Sequence, residues 1–128
     1  MARKRQIDPG FWTSEQVAAL KPAERLMWLG MISNADDEGR LKGSPAYLKM
    51  AIFPADRMTL GRVEAMRDAI VTAGLARLYA DADGEPLLWI PNWHKHQYVS
   101  KAYPSKLPPH PDEPRAKRHG KKGSIDPL

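Results

Sequence analysis

Met58-Thr59-Leu60-Gly61-Arg62-Val63-Glu64-Ala65-Met66-Arg67-Asp68-Ala69-Ile70-Val71-Thr72-Ala73-Gly74, followed at once by Leu75-Ala76-Arg77-Leu78-Tyr79, is the stretch that decides the fold. Thr59 is placed as an N-cap, and Val63, Met66, Ile70 and Val71 recur at helical spacing to make one apolar stripe. Met58 and Val63 stand where a hydrophobic staple needs them. Gly74 supplies the left-handed residue that closes a helix. The next residues read as a strand, Asp81-Ala82-Asp83-Gly84-Glu85-Pro86 as a turn, and Leu87-Leu88-Trp89-Ile90 as the returning strand.

On the N-terminal side, Thr13-Ser14-Glu15-Gln16 fits a capping box with Thr13 as cap, and Trp12 and Val17 fit a staple. A short helix over residues 14–20 is expected. Pro22 opens a second helix to about residue 35. Leu26, Met27, Trp28, Leu29, Met31 and Ile32 make it apolar on most sides, as a central helix must be. Asp36-Asp37-Glu38-Gly39 ends it, and Arg40-Leu41-Lys42 suffices only for a small strand. Ser44-Pro45 begins a third helix that turns Leu48, Ala51 and Ile52 inward and stops at Phe53-Pro54. The result is a mainly α fold with a small β-hairpin (α+β), in the element order of a winged helix-turn-helix. Residues 60–73 take the place of the recognition helix and 81–86 the place of the wing.

All of the positive charge excess lies outside this body. The chain has 128 residues and a net charge of +5, yet residues 9–100 carry ten Lys/Arg against eleven Asp/Glu. Arg3, Lys4 and Arg5 against Asp8 give the first eight residues +2, and residues 101–128 contribute +4. A neutral body with basic ends suits a polyanion, which makes nucleic acid the first partner to consider. Zero cysteines exclude a disulfide framework and thiolate metal sites. Neither a secretory signal nor a membrane-length apolar run is visible, so a cytoplasmic protein is expected, in the host cytoplasm if the chain is phage-encoded. Four parts follow: a basic arm (1–8), the winged-helix domain (9–92), an aromatic and basic extension (93–106), and a basic, Pro-rich tail (107–128) expected to be disordered.

Ile7-Asp8-Pro9-Gly10-Phe11-Trp12-Thr13 and Ala35-Asp36-Asp37-Glu38-Gly39-Arg40-Leu41 resemble the N-terminal winged-helix domain of phage replication-initiation proteins, the replisome organisers related to DnaD-type primosomal initiators. Ile90-Pro91-Asn92-Trp93-His94-Lys95-His96-Gln97, with Lys101, Pro104 and Ser105, is similar to the way such domains close. The resemblance covers roughly residues 5–110. It implies recognition of origin DNA by the winged helix. In that family a separate C-terminal region recruits the helicase-loading machinery. Here that region is expected to be absent or replaced by the basic tail, which leaves DNA binding as the inherited property.

Candidate DNA contacts fall into four groups. The arm offers Arg3, Lys4 and Arg5. The recognition-helix entrance offers Arg57, Thr59 and Arg62, although the exposed face beyond it, Gly61, Ala65, Asp68 and Thr72, is poor in cations. The extension interleaves Trp93, Lys95, His96 and Tyr98 with Lys101 and Lys106, a composition that suits base stacking and phosphate neutralisation, on single strands as well as duplex. The tail adds Arg115, Lys117 and Arg118. Asp81, Asp83 and Glu85 make the wing acidic, which suits a soluble turn or a replication or host protein partner better than a minor groove. His94 and His96 lack a third metal ligand nearby in sequence. Asp36-Asp37-Glu38 could hold a magnesium ion in a nuclease, but reads more simply as an acidic helix end. No cofactor and no catalysis are expected. The alternatives to a replication role are a protein-interaction module or a transcriptional regulator of the same fold. Deletion of residues 107–128 is expected to weaken binding to every DNA sequence and to flatten its salt dependence without changing site preference, as a salt titration of Kd would read.

Overall fold

A computed structural model of the chain describes residues 3–114. A 3-10 turn over Pro9–Thr13 leads into α1 (Glu15–Ala18) and α2 (Pro22–Asn34). β1 (Arg40–Lys42), α3 (Pro45–Ile52), α4 (Leu60–Thr72), β2 (Arg77–Ala80), β3 (Pro86–Trp89) and α5 (Trp93–His96) follow. The fold is α+β, with one antiparallel sheet in the order β1-β3-β2.

Local chemistry sets most boundaries. The Thr59 hydroxyl accepts from the Arg62 N–H at 3.1 Å, and that of Ser44 from the Tyr47 N–H at 3.1 Å. Gly74 adopts φ +82°, which ends α4 as its sequence position requires. The first helix departs from expectation by one residue. Ser14, not Thr13, caps α1, because Pro9 draws the preceding residues into the 3-10 turn and the Thr13 hydroxyl donates back to the Gly10 carbonyl at 3.4 Å. The staple fails with it, leaving Trp12 exposed beside Phe11, ring edge to face at 4.6 Å. The Gln16 amide, freed from a capping box, donates to the Ala73 carbonyl at 2.8 Å and ties α1 to the end of α4.

Met27, Met31, Leu48, Val63 and Ile70, all fully buried, join α2, α3 and α4 into one core, and Leu41, Leu88 and Ile90 add the inner face of the sheet. Each such side chain contributes about 1.5–3 kcal/mol by leaving water. Arg67, on the buried side of α4, was not foreseen there. Its guanidinium donates to the Gly43 carbonyl at 2.9 Å and meets Asp68 at 3.1 Å, clipping α4 to the end of β1.

The tail expected to be disordered from residue 107 is not so at its start. Residues 107–114 form a strap across the outer face of the sheet. Arg40 grips both Glu113 carboxylate oxygens (2.8 and 2.9 Å) and donates to the Leu107 carbonyl at 2.9 Å. The Tyr79 hydroxyl, which burial pushes up to about 12 in pKa, donates to the Pro108 carbonyl at 2.6 Å. Low apolar content misled the sequence reading, since ion pairs and ring stacking order this segment instead. Within the aromatic and basic extension, to which the sequence assigns no secondary structure, residues 93–96 form the short helix α5, with Trp93 buried.

Arg67→Met is expected to cost about 1–3 kcal/mol in urea denaturation, because it leaves the buried Gly43 carbonyl without a donor. Arg62→Ala, on the solvent side of the same helix, is expected to stay within about 0.5 kcal/mol.

Candidate nucleic-acid interface

The entrance to α4 is open to solvent: Arg57, Thr59, Leu60, Gly61 and Arg62 are all exposed. The Thr59 hydroxyl is already an acceptor for the helix backbone, which leaves its proton for a ligand. Further along, Asp68 lies against Arg67, so its charge is partly compensated. At the hairpin turn, Asp81 turns inward and accepts from the Asp83 and Glu85 N–H groups at 2.8 and 3.0 Å, whereas Asp83 and Glu85 are exposed.

The N-terminal arm behaves differently from a free cationic tether. Asp37 is only 2% exposed, and its two carboxylate oxygens bind Arg5 at 3.0 Å and Arg3 at 3.1 Å. The Tyr103 N–H adds a third bond at 2.9 Å. Burial pushes this carboxyl up, but the Tyr103 N–H, Arg5 and Arg3 together outweigh that and hold it below its ordinary 3.8. Arg5 is enclosed, with its guanidinium over the Trp93 ring at 5.1 Å, and it also donates to the Ala35 carbonyl at 2.8 Å. Arg3 lies over Tyr103 at 4.4 Å and donates to the Lys101 carbonyl at 2.8 Å. Among the arm's expected DNA contacts, Arg5 is thus an internal group and Arg3 is engaged, while Lys4 remains exposed.

Trp93 must also be withdrawn from the stacking set. It is buried, donates its indole N–H to the Asp37 carbonyl at 3.1 Å, and packs on Gly39 so closely that a Cβ there would lie 2.8 Å from its Cγ. Gly39 adopts φ +81°, so both the space and the backbone require glycine. With Trp93 fixed, the rest of α5 projects outward. His94, Lys95, His96, Tyr98, Val99 and Ala102 surround a groove of about 350 Å³ with Gln6 at its wall. Tyr98 is 78% exposed, and Lys95, His96, Lys101 and Lys106 are exposed as well. Reciprocal bonds hold the groove's backbone: Gln6 N–H to the Gln97 side chain at 3.0 Å, Gln97 amide to the Gln6 carbonyl at 2.7 Å, and Tyr98 N–H to the Gln6 side chain at 2.9 Å.

The acidic triplet 36–38 is divided among three tasks. Asp36 accepts from the Glu38 and Arg40 N–H groups and from the Ser105 hydroxyl. Asp37 holds the arm, and Glu38 meets His94 at 3.2 Å. Among the described residues no group of three or more His, Cys, Asp or Glu is gathered to hold a metal ion, and no helix is long and apolar enough to cross a membrane. Arg115, Lys117 and Arg118 lie outside the described residues. The sequence reading missed Asp37, Arg5 and Arg67 as internal ions. The only signal was indirect: Asp37 is the middle carboxylate of a triplet that a single ion or a single helix end does not need. Comparison of the chain with family models, with curated proteins and with solved structures gave no match.

A carboxyl held below its unfolded value contributes stability above that value and loses it as pH falls through the lower one. Wild-type stability is therefore expected to fall below about pH 4, and Asp37→Asn to remove that part of the profile. Asp37→Ala, which leaves Arg5 buried without its anion, is expected to cost about 3 kcal/mol in urea denaturation at pH 7.

Proposed function

We propose that this protein binds DNA through a winged-helix architecture and acts in replication initiation of the phage type. The reading rests on one observation above the others. Lys95, His96 and the largely exposed Tyr98 share the wall of one groove, built on a backbone that Gln6, Gln97 and Trp93 hold in place. An exposed aromatic ring with a lysine in the wall of the same groove supplies a stacking platform and phosphate neutralisation together. Arg57, Thr59 and Arg62 at the head of α4 are a second contact of the kind that carries selectivity in helix-turn-helix proteins. The element order from α1 to β3 supports the winged-helix reading, and the replication role follows from the sequence resemblance.

The acidic hairpin turn favours a second reading for that end of the molecule. Asp83 and Glu85 stand exposed where a minor-groove wing carries cations, so the turn fits a basic protein partner better than DNA.

Fluorescence anisotropy with duplex and single-stranded probes at low salt tests the main reading. Lys95→Glu with Tyr98→Ala is expected to weaken binding by about tenfold, and Arg62→Ala to change which duplex is preferred in selection from a random pool. Truncation after Pro114 removes the far tail while sparing the strap. It is expected to weaken binding to all sequences alike and to lower the salt slope. Unchanged affinity in the Lys95/Tyr98 variant would overturn the groove as the contact, and failure of the intact chain to bind either probe would favour the protein-interaction reading.

A further inference from the structure

The register of the sheet assembles a surface that the strand sequences do not reveal singly. Arg40, Trp89 and Arg77 lie directly opposite one another across β1, β3 and β2, and Lys42, Leu87 and Tyr79 form the next row on the same face. Leu41 and Leu88, at the alternate positions, point into the core. The outer face therefore sets aromatic rings among three cations, on rigid strands.

In the structure the strap 107–114 covers this face, and its contacts have a particular chemistry. The His110 ring stacks on Trp89 with centroids 5.2 Å apart and planes 24° from parallel, and meets Tyr79 edge-on at 5.1 Å. Two carboxylates lie on the two arginines: Glu113 on Arg40 at 2.8 Å and Asp112 on Arg77 at 2.9 Å. A flat heteroaromatic ring stacked on tryptophan, with anions on arginines to either side, reproduces the contacts of a base and its phosphates.

The strap is also a self-contained unit. The Glu113 N–H donates to the His110 carbonyl at 3.0 Å, the His110 N–H donates to the Glu113 carboxylate at 2.8 Å, and the Asp112 N–H donates to the His110 ring Nδ1 at 2.9 Å. It contributes no strand to the sheet. One of its clips is weak, because Arg77 and Asp112 are 47% and 64% exposed and water screens the pair.

We propose that the Arg40-Trp89-Arg77 and Lys42-Leu87-Tyr79 face binds single-stranded nucleic acid, and that residues 107–114 occupy it in the free protein as an internal substitute for the strand. A strand that displaces the strap exchanges carboxylates for phosphates on the same arginines and a base for the His110 ring on Trp89. This surface shares no residue with the groove around Tyr98, so the strap and Arg77 variants, made with that groove intact, report on the sheet face alone.

The test uses the full chain and a labelled oligo-dT probe at low salt. The variant His110→Ala/Asp112→Asn/Glu113→Gln is expected to bind the probe at least about fivefold more tightly than wild type. The charge-matched control Asp83→Asn/Glu85→Gln, at the hairpin turn, is expected to gain less than about twofold. Adding Arg77→Glu to the strap variant is expected to abolish the gain. Equal gains in strap variant and control, or a gain that survives Arg77→Glu, would overturn the proposal. Should the triple variant melt below the assay temperature, Asp112→Asn alone, at an exposed position, is compared with Asp83→Asn alone. A larger gain at 112 supports the sheet face, and equal affinities overturn it. Because the probe is single-stranded, loss of duplex binding in every protein would count against the proposed function and leave this result readable.

Discussion

The buried carboxylate of Asp37 is the constraint on which the rest of the architecture depends. It sits at the end of α2, where the chain must turn toward the sheet, and gathers Arg3, Arg5 and the Tyr103 N–H from segments distant in sequence. An anion removed from water must be compensated on every side. That requirement draws both flanks of the domain onto one point. The carbonyl of the same residue orients Trp93, and Trp93 orients α5, from which Lys95 and His96 project. The candidate groove thus inherits its rigidity from an ion pair below it.

The two charge-bearing flanks consequently have different fates. Arg3 and Arg5 are paired with Asp37, Arg5 inside the molecule and Arg3 at its edge, while Lys4, Lys95, Lys101 and Lys106 keep their charge at the surface. The same division runs through the acidic residues. Asp36, Asp37, Asp81 and Glu113 hold loops or arginines, whereas Asp83 and Glu85 stand exposed at the hairpin turn. Net charge by segment, from which the nucleic-acid reading starts, therefore overstates the free cation density at the N-terminus.

Legibility in the sequence followed the range of the interactions. The caps at Ser44 and Thr59, the stop at Gly74 and the apolar stripe of α4 are effects within one or two helical turns and appear in the structure. Of that stripe, Val63, Met66 and Ile70 are buried and Val71 is partly buried at its edge. The shift of the first cap from Thr13 to Ser14 is a local competition that Pro9 decided by starting its own turn. Tyr98 and Lys95 were recognised from composition, but their sharing of a groove was not, since it depends on bonds from Gln6, about ninety residues away.

By itself the sequence determined helices α2, α3 and α4, the hairpin, the neutral body and the basic ends, because periodicity, capping and formal charge are properties of neighbouring residues. Tertiary structure alone decided which charges remain free. Arg5 and Trp93 were withdrawn into the interior, and the start of the proline-rich tail was laid across the Arg-Trp-Arg row of the sheet. The physical reason is that the worth of a charge or a ring depends on what faces it across space and on how much water remains there, and neither is written in the order of residues along the chain.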